Sequence, residues 1–331
     1  MSSGGVVVLE LPLGAAEEEE ESFELEKAVC SHGLFMMPPN QWDPVSKTLL
    51  RPLRLGLGDS ESVMVRISQH QWAPRSLHVR VYCHNSPNLS RQHRESVLAQ
   101  VSRMLRLSED EERAVREFRN MYDNEKKKKE SSFVGRVFRS PTLFEDMVKC
   151  MLLCNCHPTE LANLDEGFLA SRCNLGYRAS RILKLARDIV EGRIQLTQLE
   201  EASKGASFAK SSNYDKLAKQ LKEIDGFGTF TCANVLMCMG YYHVIPTDSE
   251  TIRHLRKVHA RNSTVQTVQR DIERVYGKYA PFQFLAYWSE LWHFYEKTFG
   301  KLSEMPCSDY KLITASNMES TSSTKKRKKK C

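Results

Sequence analysis

Residues 214–255 read YDKLAKQLKEIDGFGTFTCANVLMCMGYYHVIPTDSETIRHL, and this stretch decides the fold. Leu217, Leu221 and Ile224 recur at helical spacing and predict one buried helix face. Asp225-Gly226-Phe227-Gly228 then breaks the period, and its glycines permit a tight turn and the close approach of another backbone. Thr229 is placed to cap a second helix, whose small Ala233 lets the pair pack closely. Open N–H groups at such a hairpin attract anions, so Gly226, Phe227, Gly228, Thr229 and Thr231 form a candidate DNA-phosphate site. Asp248 follows Gly228 by 20 residues, inside Ile245-Pro246-Thr247-Asp248, and precedes a helix-like run over 249–259. Two compatible roles suit it: a helix N-cap, or a carboxylate aimed and held ionised by the helix dipole to stabilise developing charge.

These residues resemble the helix-hairpin-helix, Gly/Pro…Asp superfamily of base-excision DNA glycosylases, with Gly226, Phe227, Gly228, Pro246 and Asp248 in the pattern positions. Asn174-Leu175-Gly176-Tyr177-Arg178-Ala179-Ser180-Arg181-Ile182 is similar to the L-G-Y-R-A-x-x-I run of 8-oxoguanine glycosylases. The run from Phe138 to Val148 resembles the helix that opens the catalytic domain. The resemblance covers roughly residues 133–300 and implies a mainly α protein, a helical glycosylase bundle preceded by a small antiparallel-sheet domain. It also implies double-stranded DNA with a damaged base as partner, acted on by a monomer without a cofactor.

One position narrows the implied chemistry. Bifunctional members carry a lysine nucleophile two residues after the second hairpin glycine, and that offset gives Phe230 here. A phenylalanine has no amine to attack the sugar, so the resemblance points to the monofunctional, alkylated-base branch without lyase activity. A flipped lesion would enter a pocket while Asp248 steadies the positive charge on the sugar. Residues 282–299 are rich in aromatics, and a stripe at helical spacing is ordinarily core. The resemblance makes the helix a pocket wall, with Trp288 or Trp292 stacking on a cationic purine and Tyr177 and Phe230 nearby. One departure is serious. After Cys156 the chain passes almost at once through His157-Pro158-Thr159-Glu160 to residues 161–168, so one helix of the bundle has no counterpart, as in a shortened isoform. That missing start usually supplies the side chain filling the gap left by the flipped base; His157 is the candidate replacement.

The remaining organisation follows from composition. Six basic residues at 325–330 account for almost all of the net charge of +7 and read as a nuclear-localisation signal or a phosphate-binding arm. Residues 1–22, with five consecutive glutamates, and the tail 301–331 read as disordered. Residues 23–122 form the expected sheet domain, with strand-like patches at 23–29, 63–68 and 77–83, a proline-interrupted loop at 35–42, and helices over 91–122. Residues 124–132 read as a basic loop, a solvated linker or a DNA contact. No apolar run is long enough to span a membrane. The 10 cysteines read as reduced thiols, and the close set Cys150, Cys154 and Cys156 lies in apolar surroundings unsuited to a metal.

Overall fold

Alternating apolar residues build the longest strands. In β4 (Ser62–His70) and β5 (Ala73–Cys83), Val63, Val65, Ile67, Leu77, Val79 and Val81 are each 4% exposed or less, and all face one side. With β1 (Gly5–Pro12), β2 (Gln41–Asp43) and β3 (Thr48–Arg54) they form an antiparallel sheet in the order β1-β5-β4-β3-β2. The computed structural model describes residues 5–14, 23–56, 61–83, 89–125, 132–151, 164–172, 175–203, 211–313 and 317. The chain divides into one unit of residues 1–115, 128–141 and 289–331 and a second of 116–127 and 142–288.

In the first unit, helix α2 (Arg91–Leu105) lies across β1 and β3 and buries Val97, Val101, Met104 and Leu105, the face expected from the sequence. Ser108 accepts the Glu111 N–H (3.4 Å) at the start of α3 (Glu109–Glu125). Three expectations fail here. Residues 23–29 form not a strand but a short helix, α1 (Leu25–Val29), because Leu25, Ala28 and Val29 bury one helical face and periodicity cannot type so short an apolar run. Residues 5–12, read as disordered, pair along their length with β5, since a β-branched run gains a ladder that local composition does not reveal. Residues 302–312 of the expected disordered tail form two 3₁₀ turns, held by Trp42 Nε1 donating to the Ser303 carbonyl (2.9 Å) and by Tyr310 packing edge-on against Phe35 at 5.6 Å. A 3₁₀ turn (Gly33–Met36) runs into the expected loop at 35–42, whose last two residues already belong to β2. Pro52 sits in β3 beyond the reach of β2, which pairs only with Thr48, Leu49 and Leu50, so its missing N–H breaks no ladder. Residues 126–131, with the lysine run, and 325–330 lie outside the described residues.

The second unit is helical. α4 (Leu143–Met151), α5 (Arg178–Val190), α7 (Ser211–Lys222) and α8 (Thr229–Cys238) bury Met147, Val148, Ile182, Leu217, Leu221, Val235 and Leu236 in one core, and α6 (Leu196–Ser203) packs beside α7. Helices α9 (Ser249–His259), α10 (Val268–Tyr276) and α11 (Gln283–Phe299) follow, α11 running on past the end of this unit. Residues 152–163, which include His157, Cys154, Cys156 and the point where the sequence reading expects a bundle helix to be absent, lie outside the described residues; Phe168–Arg172 forms a single π-helical turn. The protein is thus mainly α with an N-terminal antiparallel sheet, as the resemblance implied. Among the described residues no helix is long and apolar enough to cross a membrane.

Candidate functional site

The glycine hairpin joins α7 to α8 through a turn in which the Phe227 N–H bonds the Ile224 carbonyl (3.0 Å). Gly226, third of the four turn residues, has φ +88°, a conformation an L side chain resists. A Cβ there would also stand 2.8 Å from Arg181 Cδ and 3.1 Å from Met151 Cε. Phe227, between the glycines, is 5% exposed and joins the core with Leu221 and Cys232, worth about 1.5–3 kcal/mol of burial. Its side chain anchors the hairpin, leaving only its backbone to a ligand. Gly228, not Thr229, is the N-cap of α8: its backbone is extended (φ −77°, ψ 175°) and its carbonyl accepts the Cys232 N–H at 3.0 Å. No side chain caps that end. The first-turn N–H groups at Thr229, Phe230 and Thr231 therefore lack intrahelical acceptors, on a surface where Gly228, Thr229 and Phe230 are exposed. Phe230 itself is 44% exposed.

Helix α5 faces this turn. Leu175, Ala179 and Ile182 are buried, while Tyr177 is 67% exposed, with the Arg178 and Arg181 guanidinium carbons 5.0 and 5.3 Å from its ring. Gly176 turns the chain into the helix at φ +53°. Arg178, Arg181, Lys184 and Arg187 recur every third residue and so wind round half of α5, with Arg181 and Lys184 the two beside the hairpin. Asp225 of the hairpin meets this row only loosely, at 3.9 Å from Arg181 Nε and 3.7 Å from Lys184 Nζ. Positive charge thus exceeds negative charge beside the open helix end, an arrangement that favours an anion. The basic row was not singled out from the sequence, although its three-residue spacing was there to find.

Asp248 caps α9. Its Oδ1 accepts the Thr251 N–H at 2.9 Å and lies 3.1 Å from the Thr251 hydroxyl, while the Asp248 N–H reaches back to that hydroxyl at 3.4 Å. Thr251 is wholly buried, and its oxygen also lies 3.1 Å from the Pro246 carbonyl and 3.3 Å from the Tyr287 hydroxyl of α11. Threonine has one proton to give, so it can serve only one of these acceptors at a time while accepting from Tyr287. This cluster fixes one carboxylate oxygen. Asp248 is exposed, and among the described residues its Oδ2 accepts no hydrogen bond. Thr251 and Tyr287 are the supports that sequence reading missed; the Asp-x-x-Thr spacing of a capping box was the available signal.

Of the expected stacking residues, Trp288 is half-buried on α11, stacked on Phe284 at 5.8 Å. Trp292 is 2% exposed and presents no face to a ligand.

No protein-family model and no curated protein sequence matches the chain. Solved structures do. The chain is similar to a 3-methyladenine DNA glycosylase from Archaeoglobus fulgidus at 16% identity and TM-score 0.57, covering 86% of this chain and 98% of that one. It is similar to a Clostridium acetobutylicum 8-oxoguanine glycosylase/lyase at 13% identity and TM-score 0.55, over 82% and 93%. MBOgg1 in complex with a low-affinity DNA ligand is similar at 15% identity and TM-score 0.51, over 88% and 98%.

Proposed function

We propose that the chain is a base-excision DNA N-glycosylase that hydrolyses the bond between a damaged base and its sugar in double-stranded DNA. The fold shared with two kinds of glycosylase supports the class. The observation that carries the chemistry is Asp248, with one oxygen held by Thr251 and the other open to water. As the glycosidic bond lengthens, positive charge builds on the sugar, and a rigid carboxylate stabilises it without reorganising. The same oxygen orients the attacking water. The glycine hairpin and the basic row of α5 hold phosphates on either side of an extruded nucleotide, and Trp288, Tyr177 and Phe230 are the aromatic faces that favour an electron-poor alkylated purine. Phe230 at the lysine offset makes the enzyme monofunctional: base release without strand cleavage. It acts as a monomer, and residues 325–330 direct it to the nucleus.

A second reading has its own observation. The Asp248 contacts form a complete capping box, which would serve a non-catalytic helix-hairpin-helix DNA-binding protein equally well. A panel of duplexes bearing single lesions, assayed for free base with wild type and Asp248→Asn, separates the two. Release that vanishes in the variant while duplex binding persists supports the enzyme. No release from any lesion supports the binder, and a borohydride-trappable adduct with abasic DNA would refute monofunctional chemistry.

A further inference from the structure

The core residues of β4 and β5 point one way, so Arg66, His70, His78, Arg80 and Tyr82 point the other, onto the face of the sheet opposite the buried valines. At the β4–β5 turn Trp72 is 76% exposed and lies parallel to His70, with ring centres 5.1 Å apart and planes 8° from parallel. His78 completes the cluster at 4.8 Å from His70 and 5.1 Å from Trp72. A large, rigid aromatic left this exposed is a poor way to stabilise a turn. It is a good stacking platform.

Next to the platform, Arg66 and Arg80 stand directly opposite each other on neighbouring strands. Like charges at this spacing repel and weaken the pairing; among the described residues neither guanidinium is in a close ion pair, although Arg66 lies near enough to Asp43 to help lower that carboxyl. Arg66 Nε is buried without a hydrogen-bond partner. Burial first, then neighbouring His78 and Arg80, lowers the His70 imidazole from its usual range. An exposed aromatic face beside two facing arginines, whose charge Asp43 offsets in part at Arg66 and Glu10, opposite His78, in part at the β1 side, matches the chemistry of an unpaired nucleotide strand: a π-face for a base and net positive charge for phosphates.

We infer that this outer sheet face is a nucleic-acid contact separate from the glycine hairpin, and that it takes single-stranded nucleic acid, with a base stacked on Trp72 and phosphates at Arg66 and Arg80. The surface stands independently of whether Asp248 supports base release. An oligo(dT) carrying photoreactive 5-iodouracil, crosslinked to the full chain and mapped by mass spectrometry, tests it together with titrations of the unmodified oligonucleotide and of a lesion-free duplex of equal length. Crosslinks are expected within residues 62–83. Trp72→Ala should weaken single-strand binding about fivefold or more, and Trp72→Phe should recover most of it. Arg66→Glu with Arg80→Glu should reduce the slope of log K against log salt by about 1.4, the contribution of two phosphates on a single strand. Because Trp72 is exposed, its variants should melt with wild type. Crosslinks found only elsewhere, single-strand affinity unmoved by Trp72→Ala, equal proportional loss of duplex binding, or equal competition by polyglutamate would each overturn the inference.

Discussion

Replacing Gly226 by alanine tests whether the hairpin is built on backbone conformation. At φ +88° an L-residue costs about 1–2 kcal/mol more than glycine. The alanine unfolded state has less freedom, which returns about 0.4–1 kcal/mol. The new Cβ, 2.8 Å from Arg181 Cδ and 3.1 Å from Met151 Cε, must push both side chains away and removes much of that return. The net loss is about 1–2 kcal/mol, or a melting temperature lower by roughly 2–8 °C. Gly228→Ala is the control. At φ −77°, with nothing within 4 Å of a new Cβ, it should change stability by less than about 0.5 kcal/mol. Its methyl group would nonetheless stand at the proposed phosphate contact on the α8 N-terminus, so duplex affinity should fall. Urea unfolding followed by circular dichroism, paired with duplex titration, reads both effects. If Gly226→Ala unfolds with wild type, or the two variants are equally destabilised, the account of the hairpin is wrong.

Asparagine caps helices as well as aspartate, so Asp248→Asn should keep stability within about 0.5 kcal/mol while base release drops at least about 100-fold; an active variant sinks the catalytic assignment. Thr251→Val keeps the shape but removes a buried hydroxyl, and should lose about 1–2 kcal/mol by urea unfolding along with part of the base-release rate; an unchanged rate would mean that Thr251 does not position Asp248. The His32 imidazole is pushed down to about 3, by burial first and then by Arg106, and its Nδ1 accepts the Leu34 N–H (3.4 Å). The unfolded ring takes its proton near 6.5, so stability should fall as pH drops from about 6.5 towards 3, by up to about 1.4 kcal/mol per pH unit. That slope should be shallower in His32→Asn, and equal slopes would contradict the assignment. Trp288→Ala should change which lesions are released, measured on the same duplex panel; unaltered selectivity removes Trp288 from the pocket.

Legibility tracked the range of the interactions. The α7–hairpin–α8 unit, the face of α2 and the start of α9 were readable because helical spacing, glycine and capping chemistry act within a few residues. The strand at 5–12 was not, because its stability comes from Val7 pairing with Val81 and Leu9 with Val79, partners some 70 residues away. The turns over 302–312 escaped notice for the same reason, since Trp42 and Phe35 hold them from the other end of the chain.

The residue types alone determined that a carboxylate follows a glycine hairpin at a set distance, with a phenylalanine two residues after the second glycine. The tertiary structure decided how those groups are presented. Phe227 turns into the core and leaves the hairpin backbone outside, and Thr251, itself held by Tyr287, secures one oxygen of the exposed Asp248. Side-chain exposure depends on what packs against each position from distant segments, and local sequence does not encode that.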